Sequence, residues 1–284
     1  MNNQSTSQPV NQLTNQLKYT LQIADTALIH GHRLSEWCGH GPVLEQDIAL
    51  SNMALDHLGQ SRSLYQHAAE IFNALPAEHK KSVFTSAMLN QKIDKGEALD
   101  EDDLAYLRDG WDFYNVLLAE QPNGDWAYTI VRSFFLDVFN YYFFSKLISS
   151  TDEALAAVAE KSLKEVTYHM RWSSEWMIRL GDGTAESHQR VQEALNESWM
   201  FSGELLKMNE TEKSLLTDGI SVDLETIKAQ WLEKVSEIVQ QATLDLPKNN
   251  WMQEGGKEGR HTEHLGFVLA EMQFMQRAYP DMEW

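Results

Sequence analysis

Apolar residues recur three to four positions apart along nearly the whole chain, the period of a helix buried on one side. Runs that alternate with period two, the mark of a half-buried strand, are nearly absent, and there are only six prolines. The first segment, about Leu17 to Trp37, aligns Leu21, Ala24, Leu28 and Leu34 toward a core. The turn Gly39-His40-Gly41-Pro42 follows, with glycine suited to a helix stop and proline to the first turn of a restart. A second helix covers about Val43 to Leu75, with Leu44, Ile48, Met53 or Leu55, and Leu58 as its stripe and Glu45, Asp47, Asn52, Asp56, His57 and Gln60 along it. From Pro76 to Asp103 the composition shifts to Lys, Glu and Asp, and no stripe lasts beyond Val83 to Leu89. The 76–103 stretch reads as a surface excursion or weak helix.

Order returns at Leu104, and the pattern predicts a helix over Asp109 to Glu120. Gln121-Pro122-Asn123-Gly124-Asp125 is a turn that offers Asp125 as the next N-cap. The helix from about Trp126 to Ser149 is the most aromatic in the chain, so burial on most sides is expected. Ser150-Thr151-Asp152-Glu153 has the form of a capping box and opens a helix from about Asp152 to Leu180, which Gly181 and Gly183 stop. Further helices follow over about Glu186 to Met208, Asp223 to Ala242 and Thr262 to Ala278, with a Gly-rich loop, Trp251 to His261, between the last two. The expected architecture is all-α: a four-helix bundle over 17–183 with additional C-terminal helices over 184–284, one domain in all. Residues 1–16, rich in Asn, Gln, Ser and Thr, read as a disordered tail without a signal-peptide pattern.

Composition narrows the function. The chain carries 42 Asp+Glu against 23 Lys+Arg, a formal net charge of −19, so the basic footprint that nucleic acid requires is missing. Anionic membrane is disfavoured for the same reason, and the aromatic run Phe134 to Phe144, broken by Asp137 and Asn140, is too short and polar for a span. A single cysteine, Cys38, excludes an internal disulfide and a cysteine metal cluster and suits a reducing, cytoplasmic setting.

Carboxylates on a bundle's core face raise the question of metal. A di-iron carboxylate bundle takes one Glu from each of two helices and a Glu-x-x-His from each of the others. Here Glu36 could serve from the first helix and Asp137 from the third. The second helix has only His57-x-x-Gln60, which lacks the carboxylate. The fourth has Glu165 and His169. At about 100° per residue these lie roughly 40° apart, with His169 inside the stripe of Leu155, Val158, Ser162, Val166 and Met170 and Glu165 at its edge. The set Glu36, His57, Gln60, Asp137, Glu165 and His169 therefore reads as a degenerate site, a buried polar network rather than a working pair of irons; a single metal ion at Glu165 and His169 is the other possibility. His261-Thr262-Glu263-His264 looks like a short metal motif but reads better as a helix start capped by Thr262. Lys257 and Arg260 in the Gly-rich loop could meet a phosphate, yet no Gly-Lys-Ser/Thr follows. Cys38 has no evident base beside it.

Five pieces in order, Glu36-Trp-Cys-Gly-His, Ala54-Leu-Asp-His-Leu-Gly-Gln, Glu120-Gln-Pro-Asn-Gly-Asp, Lys164-Glu-Val-Thr-Tyr-His and Gly255-Gly-Lys-Glu-Gly-Arg-His-Thr-Glu-His-Leu-Gly, resemble the C-subunit family of ring-1,2-phenylacetyl-CoA epoxidases. The resemblance spans about Leu17 to Trp284, including Leu269-Ala-Glu-Met-Gln and the terminal Trp, while Pro76 to Leu99 looks longer than in that family. It implies a ferritin-like bundle that pairs with a related, iron-bearing A subunit and other epoxidase subunits. In such a complex, O₂-dependent epoxidation of the aromatic ring of phenylacetyl-CoA falls to the A subunit. The C subunit is then a structural partner with no catalytic residue and no cofactor of its own. The competing expectation is an independent di-iron oxidase with an atypical site.

Overall fold

The computed structural model describes residues 7–248, 251–280 and 282. Its helices are α1 (Ser7–Ser35), α2 (Leu44–Ala74), α3 (Ala77–Lys80), α4 (Ala87–Lys95), α5 (Glu101–Tyr106), α6 (Leu117–Glu120), α7 (Trp126–Leu147), α8 (Glu153–Gly181), α9 (Ala185–Ser198), α10 (Glu210–Leu216), α11 (Glu225–Gln241), α12 (Glu263–Met272) and α13 (Phe274–Ala278). No strand occurs among the described residues. The hairpins α1–α2 and α7–α8, joined where α2 meets α8, form an all-α, ferritin-like four-helix bundle. Helices α9 and α11 pack outside α7, whereas α6, α10 and α12 cover α1.

Caps fix several boundaries. Asp125 accepts the amides of Ala127 and Tyr128 to start α7, and Asp152 those of Ala154 and Leu155 to start α8. The Ser150 capping box does not form; Asp152 is the cap itself. Gly39, at φ +80°, turns the chain between α1 and α2 in a conformation that a side chain would strain.

The structure departs from the sequence expectations in four further places. Residues 7–16 are helical rather than a disordered tail; the expectation for 1–6, like the terminal Trp284, lies outside the described residues. Gln12 and Asn15 reach Asp218 and Ser214 near α10, and Gln16 reaches Asp152, so polar cross-links take the place of an apolar stripe. The 109–120 segment is a 3-10 turn (Gly110–Asp112), an extended stretch and the single turn α6. Side chains intercept its amides: Tyr114 N–H donates to Asp25 (2.7 Å), Val116 N–H to Thr26 (3.3 Å) and Leu117 N–H to Glu204 (2.7 Å). The helix expected to reach Met208 stops at Ser198 and gives way to 3-10 turns, one of which carries Glu204 toward the amides of Leu117 and Gly255. The 76–103 stretch is, as expected, a surface excursion of short helices, and it is pinned because Phe84, Leu89 and Leu99 are buried and Asp112 accepts the amides of Thr85 and Ser86. Finally, α2 buries Leu50, Met53, Ala54, His57, Gln60, Ser61 and Leu64, while Leu44, Ile48 and Leu55 are 72%, 51% and 65% exposed. The inner face of α2 carries polar groups, so of the expected stripe only Met53 and the half-buried Leu58 face the core.

Candidate functional site

Helix α1 is buried on almost every side. One of its faces, Tyr19, Gln22, Ile23, Thr26, Ala27 and His30, recurs at i, i+3, i+4, i+7, i+8 and i+11 and lines a cavity inside the bundle. His57 and Gln60 of α2 and Leu136, Phe139 and Phe143 of α7 line it as well. Its volume is about 40 Å³.

Three side chains from three helices converge there. His30 of α1, His57 of α2 and Asp137 of α7 each place a donor atom within 4.8 Å of the others, and all three are buried. The His30 and His57 rings meet edge-on with centroids 4.8 Å apart, and the His169 ring of α8 is 5.1 Å from that of His57. Among the described residues no protein group meets either ring nitrogen of His30 or of His57, or either carboxylate oxygen of Asp137, in good hydrogen-bond geometry, although Gln60 lies near His57 and Ser173 near Asp137. Ser61, Ser133 and Ser162 also have buried hydroxyls without a protein partner. A buried polar group left unpaired costs about 1–3 kcal/mol, so the cluster forgoes several kcal/mol of folding stability.

Burial sets the electrostatics. It drives both His30 and His57 well below the ordinary histidine range, with neighbouring imidazoles and, at His30, the Arg132 guanidinium adding to the effect and Gln60 opposing it at His57, so both are neutral with a lone pair available. Burial pushes Asp137 up to about 6, with His169 opposing it. Near neutrality the cluster thus holds two neutral imidazoles and one ionised carboxylate. The guanidinium of Arg132, on the same helix as Asp137, is engaged by the Gln121 carbonyl (2.6 Å) and by Asn123.

Of the residues singled out from sequence, His57 and Asp137 are in this cluster and His169 flanks it. His169 pairs with Asp56 (3.0 Å) rather than with Glu165. Glu165 is half-buried and accepts the Gln60 amide at 2.8 Å. Glu36 lies beyond the end of α1, bound to Arg33 (2.8 Å) and Asn123 (2.8 Å), and takes no part. The residue that sequence reasoning missed is His30.

The C-terminal motif closes differently. Lys257 is buried and spans Glu212 (3.0 Å) and the Lys207 carbonyl (3.0 Å). His261 bridges Glu120 (2.7 Å) and the Phe113 carbonyl (2.8 Å), which raises its pKa against the opposing effect of burial. Thr262 gives its amide and hydroxyl to Glu120. A Cβ on Gly256 would lie 2.2 Å from the Asn115 carbonyl oxygen, so only glycine fits where this loop meets the 110–120 segment. Arg260 pairs with Glu258, and no cation of the loop is left for a phosphate.

The sequence matches the phenylacetic acid catabolic protein family over residues 1–284. It is also 43% identical over 275 residues to the C subunit of the 1,2-phenylacetyl-CoA epoxidase of Escherichia coli (strain K12). That alignment covers 97% of this chain and all of the relative.

Proposed function

The chain belongs to the phenylacetic acid catabolic protein family, and from there we propose that it is a non-catalytic subunit of a cytoplasmic phenylacetyl-CoA epoxidase complex, supporting an iron-bearing A subunit. One observation carries this reading. Among the described residues the bundle centre has a single carboxylate, Asp137, where a pair of irons needs several to bridge and complete both shells. Glu165 is taken by Gln60, and Glu36 lies outside the bundle centre. These donors do not fit a di-iron centre. The cavity agrees: about 40 Å³ is far below the roughly 300–1,000 Å³ of small-molecule pockets, which leaves no room for an aromatic substrate inside this bundle.

The outer face of α2 offers a docking surface. Val43, Leu44, Ile48 and Leu55 are exposed, and Tyr168 of α8 is exposed one residue from His169, which meets Asp56 on α2. Clusters of this kind mark interfaces, and a permanent one buries more than about 2,000 Å². No helix among the described residues is long and apolar enough to cross a membrane. Co-expression with an iron-bearing A-subunit homologue should give one size-exclusion peak holding both chains, resistant to high salt. The chain purified alone in air should carry far below two irons. Separate elution at micromolar concentration, or a stoichiometric pair of irons in this chain, would overturn the proposal.

A further inference from the structure

We propose that His30, His57 and Asp137 bind one divalent transition-metal ion at the centre of the bundle. A structural-subunit role turns on the missing pair of irons and stands whether or not this single ion binds. Two imidazoles and one carboxylate within 4.8 Å of one another are a donor set suited to Zn²⁺, Fe²⁺ or Co²⁺, and too small for two ions.

The geometry supports a shared guest. Donor atoms no more than 4.8 Å apart can all be reached from a point no more than about 2.8 Å from each, so side-chain shifts under about 1 Å give the usual 2.0–2.2 Å bonds. The three donors come from three helices, which the α1–α2 and α7–α8 hairpins hold in place. Among the described residues none of their six polar atoms has a protein partner in good hydrogen-bond geometry. A structural network would look different, as the saturated His261–Glu120 pair in the same molecule shows. The adjoining cavity of about 40 Å³ has room for a water on an open coordination position. Its walls are apolar at Leu136, Phe139 and Phe143 and polar at Gln22, Gln60 and Asn140. The Asp137 carboxylate has no ion-pair partner of its own: the Arg132 guanidinium donates to Gln121 and Asn123, although its charge is felt at His30.

The test uses the full chain, stripped with a chelator and titrated with Co²⁺ near pH 7.5. One equivalent should bind, give the visible absorption of a low-coordinate Co²⁺ site and raise Tm, and Zn²⁺ should displace it. Asp137→Asn and His57→Gln should each weaken binding at least tenfold, whereas Glu165→Gln leaves it unchanged. X-ray absorption of the Zn²⁺-loaded wild-type chain needs no variant and should show two imidazoles with light-atom donors at about 2.0–2.1 Å. No binding with excess Co²⁺ would overturn the proposal. So would two equivalents of equal affinity, an all-oxygen shell, or binding by the His57→Gln/Asp137→Asn double variant as tight as that of the wild type.

Discussion

Two buried aspartates in this bundle have opposite fates. Asp152, at the start of α8, is held ionised at a pKa of about 2: burial works against it, but His67 (2.8 Å), Gln16 (2.6 Å) and the amide of Leu155 outweigh that cost. Asp137, on the neighbouring helix α7, is pushed up to about 6, because burial outweighs the weak opposing pull of His169 and the Ser173 hydroxyl and no group bonds it in good geometry. The same contrast holds for histidines. His261 is bound at both ring nitrogens, and His30 and His57 at neither. Sequence composition does not separate these cases; only the partner count does. Where acid and histidine saturate each other they are fasteners, and where several stay unpaired around one point they are donors kept for something else.

The largest effect should come from breaking a fastener. Asp25 pairs with the Arg108 guanidinium, accepts the Tyr65 hydroxyl (2.5 Å) and takes the Tyr114 amide (2.7 Å), with both charged side chains fully buried. Asp25→Ala strands that guanidinium and should cost about 3–5 kcal/mol in urea denaturation. A loss under about 1 kcal/mol would show that saturation is not what separates the two regions.

The opposite sign is expected at the bundle centre. In the metal-free chain, Asp137→Leu replaces an unpaired buried carboxylate with an apolar side chain of similar shape. Stability should rise by about 1–3 kcal/mol, and the midpoint of urea unfolding should move up. A destabilised variant with native circular dichroism would mean that Asp137 has a structural partner after all.

The pH dependence sharpens the contrast further. Asp152 has a folded pKa below its unfolded value, so it stabilises the fold above about pH 4 and that contribution is lost as pH falls toward 2. The loss should be roughly 1 kcal/mol once solvent screening is allowed for. Asp152→Asn should remove this part of the acid slope, and a variant with an unchanged slope between pH 4 and 2 would contradict the assignment.

Much of the fold was legible because local chemistry and tertiary packing agree. The caps at Asp125 and Asp152 and the aromatic burial of α7 follow from residue type and period alone. Residues 109–120 were not legible as a non-helical segment. Their amides are taken by Asp25, Thr26 and Glu204, acceptors about 90 residues away in sequence. The site was half legible. The paired-carboxylate pattern leads to His57, Asp137 and His169, but for α1 it leads to Glu36 rather than His30. The missed signal is a second stripe on α1, Tyr19, Gln22, Thr26 and His30, at helical spacing and facing the bundle interior, while Leu17, Leu21 and Leu28 hold the face opposite. A helix with two buried faces defeats any reading that assigns it one.

The smallest effect belongs to the rim between the two regions, and it also tests the role given to Glu165. Glu165 is half-buried and has one protein hydrogen bond, from Gln60 at 2.8 Å, while His169 is oriented by Asp56 from the other side. Glu165→Gln keeps the shape, removes a partly solvated charge and leaves an amide oxygen that still accepts from Gln60. The cost should be about 0.5–1 kcal/mol, several-fold below that of Asp25→Ala. Because Glu165 is neither in the cluster nor bound to His169, turnover per assembled complex should be unchanged. A several-fold loss of turnover at unchanged Tm would place Glu165 among the working residues of the complex and erase the boundary between rim and centre.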